Sequence, residues 1–283
     1  MKRKIAVTST HTFGRAHYLG LALMVICSVS SSVYALDPLG PPVCDLRKGE
    51  YKGGIDISLS RQDLDTTPSK FTETINGETN SGTADLGTLK DFQTYRAYAT
   101  LAYSPMYNWE AFVRLGGAIG MLGDEFWSES EEFESRRELA LGGGLRATFY
   151  EELALKIGGV VQANLSQFDG KLDASHWSAP DILEIEMFEI QVALGAMYLF
   201  SERFAVYGGP FAHLIYGDID YVNSREDNNT LIIRKFNWDI EDDINYGGYF
   251  GAQFKLRRDC SVNIEYQQTN NAQAIGASLM LRR

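Results

Sequence analysis

In three runs between Trp109 and Leu165, parted by an acidic loop and a two-residue turn, every second residue is apolar, and the runs are too long for an ordinary sheet. One set holds Trp109, Ala111, Val113, Leu115, Gly117, Ile119 and Met121. It continues in the same step from Leu139 to Phe149 and from Leu153 to Leu165, and none of its positions carries a charge or an amide. The intervening set holds Glu110, Arg114, Glu138, Arg146, Lys156, Gln162 and Asn164, spaced by glycines. A period of two means β-strands with one apolar and one polar face. Runs of 13 or 14 residues exceed the usual length of about 5–6. They suit strands crossing a bilayer at a tilt, which takes about 9–11 residues. The expected fold is therefore all-β: a closed antiparallel transmembrane β-barrel, apolar outside and polar inside.

The first 35 residues read as a secretory signal peptide. Lys2, Arg3, Lys4 and Arg15 precede a 12-residue apolar run, Tyr18–Val29, and Val33 and Ala35 stand where a signal peptidase reads. Residues 36–49 (LDPLGPPVCDLRKG) form a short Pro-rich periplasmic lead-in, and 50–283 the barrel. Cleavage after Ala35 leaves 22 basic against 37 acidic residues, a formal charge of −15, which argues against nucleic acid as a partner. No later stretch reaches 18 consecutive apolar residues, and a closed barrel is the other way to span lipid with every backbone group bonded. Cys27 leaves with the signal; Cys44 and Cys260 remain, and one disulfide between them is expected in an oxidising compartment.

Ten strands are expected, near 51–61, 92–103, 109–121, 138–150, 153–165, 186–200, 203–216, 246–256, 261–268 and 273–282. Eight or twelve are the neighbouring counts, because residues 228–243 can also be read as strand extensions or a separate hairpin. Residues 64–90 read as a long polar loop without periodicity. Pro210 suggests a bulge in the seventh strand, since proline cannot donate to a ladder. The connections after strands 2, 4, 6 and 8 have two to five residues, and those after 1, 3, 5 and 7 contain the loops 64–90, 123–135, 166–184 and 218–243, of 13 to 27 residues. Short turns at one end and long loops at the other mark bacterial outer-membrane barrels. A propeller and a lipocalin-like barrel are the rivals, but neither explains long loops at one end only.

These features resemble the small outer-membrane β-barrel proteins of Gram-negative-type bacteria, the broad OmpA-type or porin-like superfamily. The resemblance covers about 50–283 and rests on the signal peptide, the dyad repeat, the loop asymmetry and Gly-rich strands such as LGGGLRATF and VYGGPFAHL. It implies an outer-membrane location, contact with lipid and lipopolysaccharide, delivery by the barrel insertion machinery and a monomer. It also implies a terminal aromatic residue for that machinery, whereas this chain ends Leu279-Met280-Leu281-Arg282-Arg283.

The inward parity places Lys52, Asp56, Arg96, Glu110, Arg114, Glu138, Arg146, Lys156, Glu189, Lys255 and Glu265 in the lumen. Charges there must pair, since a lone buried charge costs several kcal/mol. A salt-bridge lattice that largely plugs the barrel is expected, with Phe112, Tyr207 and Phe211 also inside. Asp124, Glu125, Glu129, Glu131, Glu132 and Glu134 form an acidic loop. Their spacing matches no calcium loop and reads as a solvated rim bridged by cations to lipopolysaccharide; no metal site or cofactor is expected. Tyr51, Tyr103, Tyr107, Trp109, Phe149, Tyr150, Phe200 and Phe204 make an aromatic girdle at the short-turn end, and Phe126, Trp127, Tyr216, Tyr221 and Tyr246 its outer counterpart. The expected role is structural, or exerted through the acidic surface loops. The alternative is a narrow porin for small solutes. A third reading is a rim hydrolase resembling the ten-stranded omptins, built on His213 with Asp218 and Asp220, although the Asp-x-His spacing of that family is absent.

Overall fold

The computed structural model describes residues 36–122, 133–172, 181–227, 230–241 and 243–283. The expected signal peptide, residues 1–35, the acidic-loop residues Asp124, Glu125, Phe126, Trp127, Glu129, Glu131 and Glu132, and His176 lie outside the described residues. Fourteen strands occur among those described: β1 (Tyr51–Asp65), β2 (Ser69–Ile75), β3 (Glu78–Ala84), β4 (Thr88–Met106), β5 (Trp109–Leu122), β6 (Phe133–Ser135), β7 (Glu138–Glu152), β8 (Leu155–Leu172), β9 (Asp181–Leu199), β10 (Phe204–Asp227), β11 (Thr230–Glu241), β12 (Asn245–Lys255), β13 (Cys260–Gln268) and β14 (Ala272–Arg282). Ten of them close a ring of antiparallel neighbours: β1, β4, β5, β7, β8, β9, β10, β12, β13 and β14. The β10–β12 ladder and the β14–β1 ladder complete it. These are the ten strands the periodicity marks.

The other four strands belong to an extension beyond the long-loop end. Residues 69–84 are a hairpin rather than an irregular loop, with Asn76 at φ 51° and Gly77 at φ 89° between β2 and β3. Asn-Gly is the dipeptide a type I′ turn selects, so the signal was present without flanking apolar alternation to draw attention to it. β10 runs on past the ring and folds back as β11, which pairs β2. Pro210 makes no bulge. The β10–β12 ladder passes unbroken through Pro210 opposite Gly248, and the β10–β9 ladder skips two pairs and resumes in register.

The two faces exchange polarity at one level around the ring. On β9, Leu194, Val192 and Phe188 point outward and are exposed, while Gln191 and Glu189 are buried inside. Two residues further, outward Glu186 and Glu184 are polar and inward Met187, Ile185 and Leu183 are apolar and buried. β8 changes between Leu165 and Gln167 outside, and between Ser166 and Phe168 inside. β10 changes between Tyr216 and Asp218. An apolar outer face over a polar inner one is the signature of lipid contact, and the reverse is that of a barrel in water. The lipid-facing stretch of β8 runs from Leu155 to Leu165. At about 3.4 Å per residue and a tilt of about 40° it spans about 26 Å, the height of an outer-membrane apolar belt.

Exposed Tyr51, Tyr103, Tyr107, Trp109, Phe149, Tyr150 and Phe200 ring the short-turn edge of the belt, and Tyr216 and Tyr246 stand at the other. Tyr221 departs from the girdle. It lies above the level of exchange, faces inward, and donates to Asp181. Beyond the belt an inner cluster including Phe92, Phe168, Ile185, Met187, Ile219 and Trp238 fills the extension, with Phe92 and Phe168 edge to face at 5.2 Å.

The lead-in is not outside the barrel. Leu36, Asp37, Leu39 and Val43 are at most 2% exposed. Leu36, Leu39 and Val43 pack with Phe112, Val160, Met197, Tyr207, Phe211 and Tyr249 from the ring's inner wall. The segment enters from the short-turn end and lies in the lumen beneath the apolar cluster.

The exchange of faces predicts opposite tolerances on one strand. Val161→Arg, outward at the middle of the belt, is expected to cost about 2–4 kcal/mol. Asp169→Arg, outward above it, is expected to change stability by less than about 0.5 kcal/mol. Reversible urea unfolding in lipid vesicles measures both.

Candidate functional site

Eight of the eleven charged residues assigned to the lumen are buried there: Lys52, Asp56, Arg96, Glu110, Arg114, Arg146, Glu189 and Glu265. Their strands carry them inward because lipid takes the alternate positions. They fall into two groups. Near the short-turn end Glu110 accepts from both Lys52 Nζ at 3.0 Å and Arg146 Nη1 at 2.5 Å, and Lys52 also meets Asp45 at 2.6 Å. Deeper, Arg96 bridges Glu189 at 2.5 Å and Asp37 at 3.1 Å. His213 Nε2 stands 3.4 Å from Glu189. Between the groups Arg114 Nε lies 3.5 Å from Asp56, whose carboxylate also accepts from Thr100.

Three assignments differ. Lys156 is a half-buried residue next to the turn, paired at 2.6 Å with exposed Glu151. Glu138 and Lys255 are half-buried and enter none of the lumen pairs. All three lie at strand ends, where parity gives the side but not the depth. The lead-in supplies two carboxylates the parity does not count, Asp37 and Asp45. Burial pushes the Asp45 carboxyl up, but Lys52, with Arg146 and Arg282, outweighs it and holds the group at about 2.

Polar side chains of four strands seize the main chain of the lead-in. Gln267 and Gln162 donate to the Asp37 carbonyl at 2.9 and 3.2 Å. Arg114 donates to the Pro38 carbonyl and Arg146 to the Leu39 carbonyl, each at 2.8 Å. The Leu39 N–H donates to Glu265 at 2.8 Å, and the Cys44 N–H to Thr148 Oγ1 at 2.9 Å. Gly40, at φ +70°, lets the chain turn with the Arg146 guanidinium beside it. The sequence signal for this packing was the segment's own apolar, Pro-rich composition.

The expected disulfide is absent: Cys44 and Cys260 are both free. The Cys44 thiol lies in the lumen against the Leu46 carbonyl, while Cys260 opens β13 opposite Leu281 on β14. Insertion of the lead-in carries Cys44 away from the seam. The proposed hydrolase set is likewise divided. His213 faces the lumen and Asp218 and Asp220 face outward from the same strand, so they do not converge. Above the belt, outward Asp218 lies opposite Asp239, and Asp220 opposite Asn237, which donates to it at 2.8 Å. Desolvation, the hydrogen bond with Asp239 and the charges of Asp239 and Asp220 push Asp218 up. Glu134 is exposed on β6 opposite Lys171. Among the described residues no group of His, Cys, Asp or Glu is arranged to hold a metal ion.

No family model and no curated protein matches this chain. Among solved structures it is similar to the translocator domain of the autotransporter NalP from Neisseria meningitidis, at 9% identity, TM-score 0.42, covering 95% of each chain. It is similar to the outer membrane protease OmpT from Escherichia coli, at 9% identity, TM-score 0.40, covering 82% of this chain and 94% of that one. The outer membrane protein OprG from Pseudomonas aeruginosa follows at 14% identity, TM-score 0.34, covering 72% and 96%. At such scores the likeness carries no weight. The chain's own closed ring, apolar belt and short-turn asymmetry make it an outer-membrane β-barrel.

Breaking the lower lattice is expected to be costly. Glu110→Ala leaves Lys52 and Arg146 without their shared carboxylate and should lose about 3–5 kcal/mol. Glu151→Ala, at the exposed pair, should lose under about 1 kcal/mol. Urea unfolding in detergent micelles separates them. Because the Asp45 carboxyl is depressed in the folded state, its contribution is complete above about pH 4 and lost as pH falls through about 2. Asp45→Asn should remove that part of the acid dependence.

Proposed function

We propose that the mature protein is a monomeric outer-membrane barrel whose lumen is shut, and that it acts through its outer extension rather than by passing solutes. The observation that carries this reading is the packing inside the ring. Residues 36–46 and the ion-pair lattice occupy the lower part, and the apolar cluster around Phe92 and Phe168 occupies the upper part. A cavity lined by Lys52, Asp56, Arg114 and Arg146, with Pro38 and Asp45 of the lead-in, holds about 30 Å³, room for about two waters. In this reading the belt meets lipid. The outward acidic rows of Glu184, Glu186, Asp218 and Asp220 meet the lipopolysaccharide layer across divalent cations.

Single-channel recording of the refolded mature chain in a planar bilayer tests closure. A folded barrel, recognised by heat-modifiable migration, is expected to give no steady conductance steps. Regular ion-selective openings would establish a narrow porin in its place, with Arg114 and Arg146 as the residues setting ion preference.

A further inference from the structure

The lower lumen treats the lead-in as a ligand. Every ring strand spends its backbone groups on ladders, so an inserted chain cannot add as another strand. The wall uses side chains instead: Gln162, Gln267, Arg114, Arg146 and Glu265 address the carbonyls of residues 37 to 39 and the N–H of Leu39. Contacts of this kind read a peptide main chain and leave its side chains free to vary. One side chain is read as well. The Asp37 carboxylate accepts from Ser58 Oγ and Tyr98 Oη at 3.1 Å each and pairs with Arg96 at 3.1 Å. The wall is also cut to the segment's outline, because a Cβ at Gly276 would strike the Pro38 ring and one at Gly158 the Pro42 carbonyl.

The segment is built to leave as a unit. Residues 36–48 contain no strand and share no ladder with the wall; main-chain pairing with Ser104 comes at Gly49 and Glu50. Cleavage after Ala35, which the leader's sequence leads us to expect, makes Leu36 a free end. Withdrawal toward the short-turn end then breaks side-chain contacts and no ladder.

We infer that the lower lumen is a binding site for an extended, largely apolar peptide carrying one carboxylate, and that residues 36–44 are its tethered, exchangeable occupant. This does not depend on whether the lumen conducts. A tethered occupant holds its site at an effective concentration of about millimolar, so a free peptide competes only when the tether's own contacts are weakened.

The chain carries its own reporter. Cys44 rides on the segment and is 8% exposed; Cys260 lies in the wall, half-exposed, and serves as the internal control. Burial, then the charge of Glu110, pushes the Cys44 thiol up, which slows its alkylation further while it is docked. The experiment compares maleimide labelling of the two cysteines in folded mature protein, wild type against Gly276→Ala and Asp37→Asn. Each variant is expected to speed Cys44 by about tenfold or more with Cys260 unchanged, Asp37→Asn through loss of a charge-assisted contact and Gly276→Ala through the clash of its Cβ with Pro38. A fluorescent peptide of residues 36–43 is then expected to bind Asp37→Asn, whose wall is intact, saturably below about 1 mM, and the same peptide with Asn for Asp37 to bind at least about tenfold more weakly; Gly276→Ala, whose added Cβ meets Pro38 of the peptide too, is expected to bind it more weakly than Asp37→Asn does. An unchanged Cys44 rate in folded variants would mean a fixed core segment. Faster Cys44 labelling without saturable binding would mean a loose plug but no peptide site. Either result overturns the inference. Should both variants fail to fold, Ser58→Ala removes one of the donors to Asp37 and is read by the same criteria.

Discussion

Lipid on the outer face decides what the inner face must hold. With alternate positions taken by the belt, the remaining positions collect Lys52, Asp56, Arg96, Glu110, Arg114, Arg146, Glu189 and Glu265, all buried. A ring of eight strands is just filled by its own side chains; a ring of ten leaves a bore. Charges lining a bore are tolerable if water fills it or if partners are brought to them. This chain brings partners. Arg96, Arg114 and Arg146 each reach the lead-in: Arg96 at the Asp37 carboxylate, the other two at main-chain carbonyls. The lead-in therefore acts as the inner half of the lattice.

Above the belt the constraint is lifted and the packing reverts to that of a soluble barrel. β9 shows the exchange most plainly. From Leu194 to Phe188 its outward positions are apolar, and from Glu186 to Glu184 they are acidic, with no break in register against β8 or β10. One strand thus serves two solvents, and the level of exchange fixes its depth in the membrane. The apolar cluster that results lies inside the outer end of the ring, and polar contacts hold the lead-in at the inner end.

The strands were legible because alternation is forced wherever one face meets lipid. All ten ring strands follow it, and eight charged residues fall where parity puts them. Parity failed at Glu138, Lys156 and Lys255 because it reports side and not depth, and strand ends are where depth changes. The β2–β3 hairpin was masked by its setting. With water on much of its surface, ETNSGTA has no reason to alternate, and only Asn76-Gly77 marked it. The extension of β10 to Asp227 was hidden for a related reason, since its apolar and polar faces swap midway. The destination of the lead-in left almost no pattern. A segment bound through its main chain shows little of the binding in its side chains, beyond its apolar, Pro-rich composition and Asp37.

The composition of the lead-in still answers to its surroundings. In the lumen an inserted chain meets no ladder, so each buried N–H needs a side-chain acceptor or goes unpaired. Pro38, Pro41 and Pro42 carry no N–H, which removes three such demands. Glu265 and Thr148 then meet the N–H groups of Leu39 and Cys44. The same prolines restrict φ before insertion, so the free segment has less conformational entropy to lose on docking. A Pro-rich stretch beside a signal sequence reads by habit as a linker. Beside a charged bore of ten strands it suits the wall that holds it: stiff, poor in donors, apolar in its side chains, and rich in carbonyls for arginine and glutamine to hold.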